Sequence, residues 1–362
     1  MFENSKLKFV KPYKLSSQEV WKYKYDDNIL KLDWNEATII PSPMVLKSIY
    51  NELKKGKLNW YPDTNNSELI QLLAKYNKVK KSNIQYFASS DTLHEYIVRC
   101  FTETGDLILI IGPTYDNFRA VAESSGGIVK YIYLNKDFTL NFDKLNECIS
   151  KLNPKVVYLV NPNNPTGTLH PVDMLINSIS KFKNSLFIID EAYFEFSGLT
   201  LSKEVSKHEN ILISRTFSKA FALASFRIGY AISNTKNIQS LNKIRNPKNI
   251  SHFAQIAAIS ALKDIGYTYE YVNEVKKAKS TLNNFLKKIK SIDVFSGHGN
   301  FLFIRFYNLN KKKEFINFLN SKKIYIRDYG HIKKTENFVR ITIGTTKQMK
   351  KVIETLKLFF KI

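Results

Sequence analysis

Three polar clusters in the chain each follow a short apolar run, and together they supply an amine, carboxylates, hydrogen-bond donors and an arginine. The first, VVYLVNPNNPTG at residues 156–167, ends a buried-strand pattern in two Asn-Pro steps and a Thr-Gly, a rigid polar turn that cannot continue as helix or strand. The second, SLFIIDEAYFEF at residues 185–196, puts Asp190 and Glu191 where the apolar run gives out, with Tyr193 just beyond. The third, ILISRTFSKAFALASFRIGYA at residues 211–231, places Ser218 and Lys219 after a run and Arg227 further on. A lysine amine can act as nucleophile and base, and arginine suits bidentate contact with phosphate. Taken singly, each cluster has an ordinary explanation: a loop, a helix cap, a surface lysine.

Elements must bring these clusters together. From about residue 85 to 235, short apolar runs alternate with longer amphipathic ones. Strands are predicted at Leu107–Ile111, Ile128–Leu134, Val156–Val160, Leu186–Ile189, Ile211–Ser214 and Arg227–Ile232. A helix is predicted at Asp91–Phe101, with Leu93, Ile97, Cys100 and Phe101 on one face. The alternation predicts an α/β fold, a mostly parallel sheet between helices. Ligands of such sheets gather outside the carboxyl ends of the strands, which is where to look for chemistry. Beyond about residue 240 come a lysine-rich helical stretch over Ser251–Ile289 and strands at Phe301–Phe306, Ile324–Arg327 and Phe338–Ile343. A last amphipathic helix buries Met349, Val352, Ile353, Leu356, Phe359 and Phe360. We expect a large domain at residues 39–240. Residues 1–38, with an N-terminal arm, and 241–362 are expected to form a smaller α+β domain joined by a continuous helix.

The order and spacing of NPNNPTG, IIDEAY and RTFSKAFALASFR resemble the fold-type I pyridoxal-phosphate (PLP) aminotransferases, and most of all the histidinol-phosphate aminotransferase family. The likeness takes in KPY (Lys11–Tyr13), LDWNEAT (Leu32–Thr38), NWYPD (Asn59–Asp63) and SSDTLHEYIVRCF (Ser89–Phe101). It continues through GPTYDNF (Gly112–Phe118), IYIRDYG (Ile324–Gly330) and VRITIGT (Val339–Thr345), in the family's order over nearly the whole chain. The resemblance implies PLP as cofactor and Lys219 as its Schiff-base lysine, which then serves as the base that moves the substrate's Cα proton. Asp190 would keep the pyridine nitrogen protonated, with Glu191 behind it. Asn164 and Tyr193 would donate to the cofactor's phenolic oxygen. Its phosphate would sit among Ser90, Asp91, Thr216, Ser218 and Arg227, at a helix start whose free N–H groups attract anions. Tyr115 matches the aromatic that stacks on the pyridine face. Tyr61 matches a tyrosine that reaches the neighbouring subunit's phosphate, which implies a homodimer with shared sites. Ser89 and Thr92 depart from the glycine and glutamate common in the family, and loss of the glycine restricts the backbone.

For the substrate, the resemblance implies a pocket of Arg340, Arg327 and Tyr13, with Asn35 and Glu36 at its mouth. Two arginines in one pocket suit a dianionic group better than a single carboxylate. The expected reaction moves an amino group between a small phosphorylated amine and a 2-oxo acid such as 2-oxoglutarate. Histidinol phosphate is one candidate amine, and a phosphorylated amino-alcohol resembling serinol phosphate is another. A PLP decarboxylase of phosphorylated threonine or serine shares the fold and stays open, because sequence does not reveal which bond at Cα is aligned for cleavage.

Composition excludes other classes. The 362 residues, 44% hydrophobic, suffice for two packed cores, and no apolar run is long enough to cross a bilayer. The opening MFENSKLKFVKPYKLSS lacks the apolar centre of a leader. Cys100 and Cys148 are the only cysteines, so no disulfide framework is expected, in keeping with a cytoplasmic enzyme. The net charge of +23 raises the possibility of a nucleic-acid-binding regulator. Its lysines, among them Lys54, Lys80 and Lys311, are instead spread along the chain without zinc spacing or an RNA-binding aromatic signature, and an appended DNA-binding domain has no room before Leu32. Neither nucleic acid, membrane nor metal is expected as a partner.

Overall fold

The computed structural model describes residues 2, 4–13, 19–23, 26, 28–332 and 334–362. Parts of the stretch read for a leader and of the N-terminal arm, including residues 14–18, lie outside the described residues. In chain order the strands are β1 (Leu30–Leu32), β2 (Ile84–Phe87), β3 (Leu107–Gly112), β4 (Ile128–Tyr133), β5 (Val156–Val160) and β6 (Leu186–Asp190). They continue with β7 (Ile211–Thr216), β8 (Gly229–Ser233), β9 (Ile292–Phe295), β10 (Phe301–Phe306), β11 (Ile324–Asp328) and β12 (Phe338–Thr342). The α-helices are α1 (Pro43–Lys55), α2 (Ser67–Asn77), α3 (Ser90–Phe101), α4 (Asn117–Ser124), α5 (Phe142–Leu152) and α6 (Val172–Lys181). After them come α7 (Phe194–Ser197), α8 (Thr235–Ile244), α9 (His252–Lys263), α10 (Ile265–Leu286), α11 (Leu309–Ser321) and α12 (Thr346–Phe360).

One sheet has the order β2-β8-β7-β6-β5-β3-β4 and is parallel except for β8. Its central strands are continuous apolar runs because helices cover both faces. Alternation within a strand divides them: Val157 and Leu159 face the side covered by α1, α2 and α9, while Val156, Tyr158 and Val160 face α3 and α4. The other sheet, β1-β11-β12-β10-β9, packs on α10, α11 and α12 through Val275, Leu282, Phe315, Val352 and Leu356.

The structure differs from the sequence reading at three places. β8 starts at Gly229, since Arg227 is left-handed at φ +52° and turns away from the strand. The stretch Ser251–Ile289 is two helices, broken where Asp264 leaves helical geometry and accepts a hydrogen bond from Ser42 Oγ at 2.5 Å. Three short strands were not anticipated: β1, β2 and β9. Alanines of α9 (Ala254, Ala257, Ala258, Ala261) join the core of the seven-stranded sheet, while Tyr271, Val272 and Val275 of α10 join the other core. We therefore propose Asp264 as the boundary between the two cores. Among the described residues, no helix is long and apolar enough to cross a membrane.

The two cores meet where Phe303 and Phe338 of the five-stranded sheet join the first core, and at a pair of glycines. His298 N–H donates to Gly167 O at 2.7 Å, and a Cβ on Gly297 would stand 2.0 Å from that oxygen. The buried Lys279 ammonium donates to the carbonyls of Gly297 and Gly299, fixing the loop from the other side. Gly297→Ala has no flexible neighbour to displace. It is expected to destabilise the protein by roughly 1–3 kcal/mol, read from the denaturant midpoint. An unchanged midpoint would show that this contact is not held tightly.

Candidate active site

The carboxyl ends of β3, β5, β6 and β7 open on one cleft of about 460 Å³. Tyr115 follows β3, Asn164 follows β5, Asp190 ends β6, and Thr216 ends β7 with Ser218 and Lys219 after it. From β3 the chain runs to β4 on one side and returns to β5 on the other, the switch point at which such sheets take ligands. The two turns there are joined: Thr114 Oγ1 donates to Asn163 Oδ1 at 2.9 Å, and Asn163 Nδ2 donates to Pro113 O at 3.0 Å. Beneath β6 and β7, Arg215 and Glu191 pair at 2.7 Å with side chains 1% and 0% exposed. Glu191 also accepts from the Thr200 hydroxyl and the Leu201 N–H, so this buried pair is fully hydrogen-bonded and fixes the turn after Asp190.

Tyr13, Ser90, Asp91, Tyr193, Arg227, Arg327 and Arg340 line the same cleft, and so does Glu36. Two of the sequence-named residues lie elsewhere. Asn35 is not at the mouth: it is wholly buried at φ +57°, and its Nδ2 donates to Tyr193 OH at 2.9 Å. Tyr61 stands outside the cleft, 76% exposed, with Lys248 Nζ 4.4 Å from its ring centre.

The anion end of the cleft is the start of α3. Ser89, where a glycine was expected, sits at φ +100°, a region that favours glycine. Its hydroxyl caps the helix by accepting from Thr92 N–H at 3.1 Å, and the Thr92 hydroxyl donates back to Ala88 O at 2.9 Å. β8 passes so close that a Cβ on Gly229 would lie 2.6 Å from Ser90 N. The Asp91 carboxylate accepts from Tyr115 OH at 3.0 Å and from Arg227 Nη2 at 3.2 Å. It therefore orients those two side chains and offers a bound anion only its backbone N–H. Arg227 Nη1 reaches Ser218 Oγ at 3.4 Å, and Thr216 Oγ1 donates to the same oxygen at 3.0 Å.

At the centre, hydrogen bonds set the direction of each polar group. Asn164 Oδ1 accepts from Arg340 Nη1 at 2.6 Å and from Tyr329 OH at 3.3 Å, which leaves its amide N–H₂ as donor. Tyr193 OH, accepting from Asn35, keeps its own proton to donate. Asp190 is 3% exposed and accepts from the Ala192 N–H at 3.0 Å and the Tyr158 hydroxyl at 3.2 Å. Burial pushes its carboxyl above the usual range, and a cation placed against it would favour the ionised form. Lys219 Nζ donates to Trp34 O at 2.9 Å.

This set fits PLP. A buried carboxylate would meet the ring N–H, two donors its phenolic oxygen, an amine its aldehyde, and a helix start with an arginine its phosphate. At the far wall Arg327 and Arg340 lie directly opposite each other on β11 and β12. Among the described residues, Arg340 meets neutral acceptors in Asn164, Tyr329 OH and Asp33 O, and its buried Nε has no hydrogen-bond partner. Tyr329, Trp21 and Trp34 complete the wall and were missed. Tyr329 and Trp34 both lay within quoted motifs, but Trp34 serves Lys219 through its carbonyl, which no side-chain pattern marks.

Burial, and next the charge of Arg340, lower the Lys219 amine from its ordinary range to about 8. Only the neutral amine attacks an aldehyde. Capture of PLP by the apoprotein is therefore expected to speed up as pH rises through about 8. Arg340→Gln removes a positive neighbour and should move that midpoint upward. Stopped-flow absorbance measures both, and a rate independent of pH contradicts the environment described for Lys219.

Comparison with known proteins agrees with this geometry. Residues 27–356 match the family described as aminotransferase class I and II. A dihydroxyacetone phosphate transaminase of Campylobacter jejuni is 42% identical, over 100% of this chain and 98% of that protein. A histidinol-phosphate aminotransferase of Caldanaerobacter subterraneus subsp. tengcongensis is 33% identical, over 99% of each. The crystal structure of histidinol-phosphate aminotransferase from Sinorhizobium meliloti in complex with pyridoxal-5'-phosphate superposes with a TM-score of 0.87 at 25% identity, over 96% of this chain and 95% of that one. The chain belongs to the class I and II aminotransferases and is a PLP-dependent enzyme with the type I fold.

Proposed function

We propose that the enzyme transfers an amino group between a small phosphorylated amino-alcohol and a 2-oxo acid such as 2-oxoglutarate. Serinol phosphate, the amine counterpart of dihydroxyacetone phosphate, is the first candidate and histidinol phosphate the second. The observation that carries the reading is the cross-strand pairing of Arg327 and Arg340 on the cleft wall. Directly opposed like charges destabilise a sheet, and a phosphate dianion between them relieves that cost while accepting from both forks. Burial pushes the Tyr13 phenol up, which keeps it a neutral donor beside them. The relative at 42% identity is named for a three-carbon phosphorylated ketone, which supports the smaller substrate.

In this reading PLP, when bound, supplies the electron sink that makes the substrate's Cα proton removable. Lys219 holds the cofactor and then carries that proton. Asp190 accepts from the ring nitrogen, Asn164 and Tyr193 donate to the phenolic oxygen, and Tyr115 packs on the ring. Ser90, the Asp91 N–H, Thr216, Ser218 and Arg227 hold the cofactor's phosphate. The enzyme is a homodimer in the same proposal, supported by the exposed Tyr50, Leu53, Leu58, Trp60 and Tyr61 on and after α1. The unpaired Cys100 and Cys148 fit a reducing compartment such as the cytoplasm.

Glutamate formation from 2-oxoglutarate tests the reading, with serinol phosphate, histidinol phosphate and their unphosphorylated counterparts as amine donors. Turnover is expected only with the phosphorylated amines and is expected to be higher with serinol phosphate. Arg327→Gln should raise KM for them roughly tenfold or more, the worth of a hydrogen bond to a charged group, with a smaller change in kcat. Turnover confined to unphosphorylated amines would sink the two-arginine argument.

A further inference from the structure

Behind Asp190, on the side away from the cleft, stand two residues that do not line it. Tyr158 on β5 donates its hydroxyl to Asp190 Oδ2 at 3.2 Å, and His94 on α3 sets Nε2 3.7 Å from the same oxygen. The His94 ring is 0% exposed and lies edge-on to Phe118 and Tyr158, which stack on each other with centroids 4.0 Å apart. Among the described residues, neither of its nitrogens has a hydrogen-bond partner. Burying an imidazole without a partner is costly, and an apolar ring would pack between those aromatics without that cost. The polar ring therefore asks for a reason. A shift of a few tenths of an ångström would bring Nε2–H within hydrogen-bond range of the carboxylate.

We propose that His94 is a positioning residue for Asp190: its Nε2–H, together with the Tyr158 hydroxyl, holds the carboxylate as an ionised acceptor aimed at the cofactor's ring nitrogen. The neutral imidazole suffices, because the donor and not a charge does the positioning. Oδ1 is held by the Ala192 N–H, so the three donors fix both oxygens of one carboxylate. Against the upward push of burial, His94 by its charge when protonated, and the Ala192 N–H and Tyr158 hydroxyl by their hydrogen bonds, pull the Asp190 carboxyl down. The inference rests on the assignment of Asp190 to the ring nitrogen.

Holoenzyme reconstituted with PLP carrying ¹⁵N in the ring reports protonation of that nitrogen through its resonance. The wild type is expected to show a protonated ring. His94→Phe keeps the aromatic packing. It is expected to move the resonance toward the unprotonated position and to lower kcat on the order of tenfold, with KM for the phosphorylated amine little changed. His94→Gln retains a donor and should recover most of both. A His94→Phe enzyme with wild-type resonance and kcat overturns the proposal. Wild-type holoenzyme labelled with ¹⁵N at histidine supplies a second test, free of any substitution at His94. The His94 Nε2 signal should change in Asp190→Asn protein, and an unchanged signal contradicts the contact. If Asp190→Asn itself leaves ring protonation and rate intact, the assignment of Asp190 fails. If Asp190→Asn is crippled while His94→Phe is not, only the present inference fails.

Discussion

Among the described residues, the cleft holds buried charged groups whose hydrogen-bond partners are neutral. Asp190 is enclosed with hydroxyl, amide and imidazole neighbours, the Lys219 amine rests on a carbonyl, and Arg340 meets neutral oxygens. Groups of this kind are expensive to bury unless something pairs them. The structure accepts that cost at the point where the strands end and the backbone is most tightly fixed. In the proposed function, what would relieve it is a ligand with a cationic centre against Asp190, a carbonyl at Lys219 and anionic groups at both ends. A pyridine cofactor with a phosphate, joined to a phosphorylated amine, has that pattern of charge.

Two scaffolds hold the pattern. The seven-stranded sheet supplies the groups proposed for the cofactor from the ends of β3, β5, β6 and β7, with the Glu191–Arg215 pair stiffening the last two. The five-stranded sheet supplies the arginines, and its short strand β1 leads directly into Asp33, Trp34 and Glu36 on the cleft wall. The Arg340–Asn164 bond and the Gly167–Gly297 contact join the scaffolds on either side of the turn after β5. The groups proposed for cofactor and substrate are thereby kept in register by the same turn.

Much of this was legible in the chain. The central strands announced themselves because a strand covered on both faces must be apolar throughout, and the chemistry fell at their ends because the switch-point rule puts it there. Other features left no pattern. A strand of three residues, such as β1, is too short for alternation, and the helical period runs through Asp264 although the helix does not. Asn35 was misplaced because a left-handed backbone turns it inward under Tyr193. Arg227 was read into a strand for the converse reason: nothing in its type reveals a positive φ. His94 and Tyr158 sit inside an apolar helix face and an apolar strand, where a polar atom aimed at a carboxylate looks like ordinary core.

The central claim is that one amine, Lys219, carries the cofactor. Borohydride reduction of the purified holoenzyme fixes PLP permanently to the amine that holds it, and peptide mapping by mass spectrometry then locates it. The account predicts a single modified peptide spanning Ser218–Ala220 with the cofactor on Lys219. Modification at another lysine, or none at all in protein that is active and coloured, would contradict it.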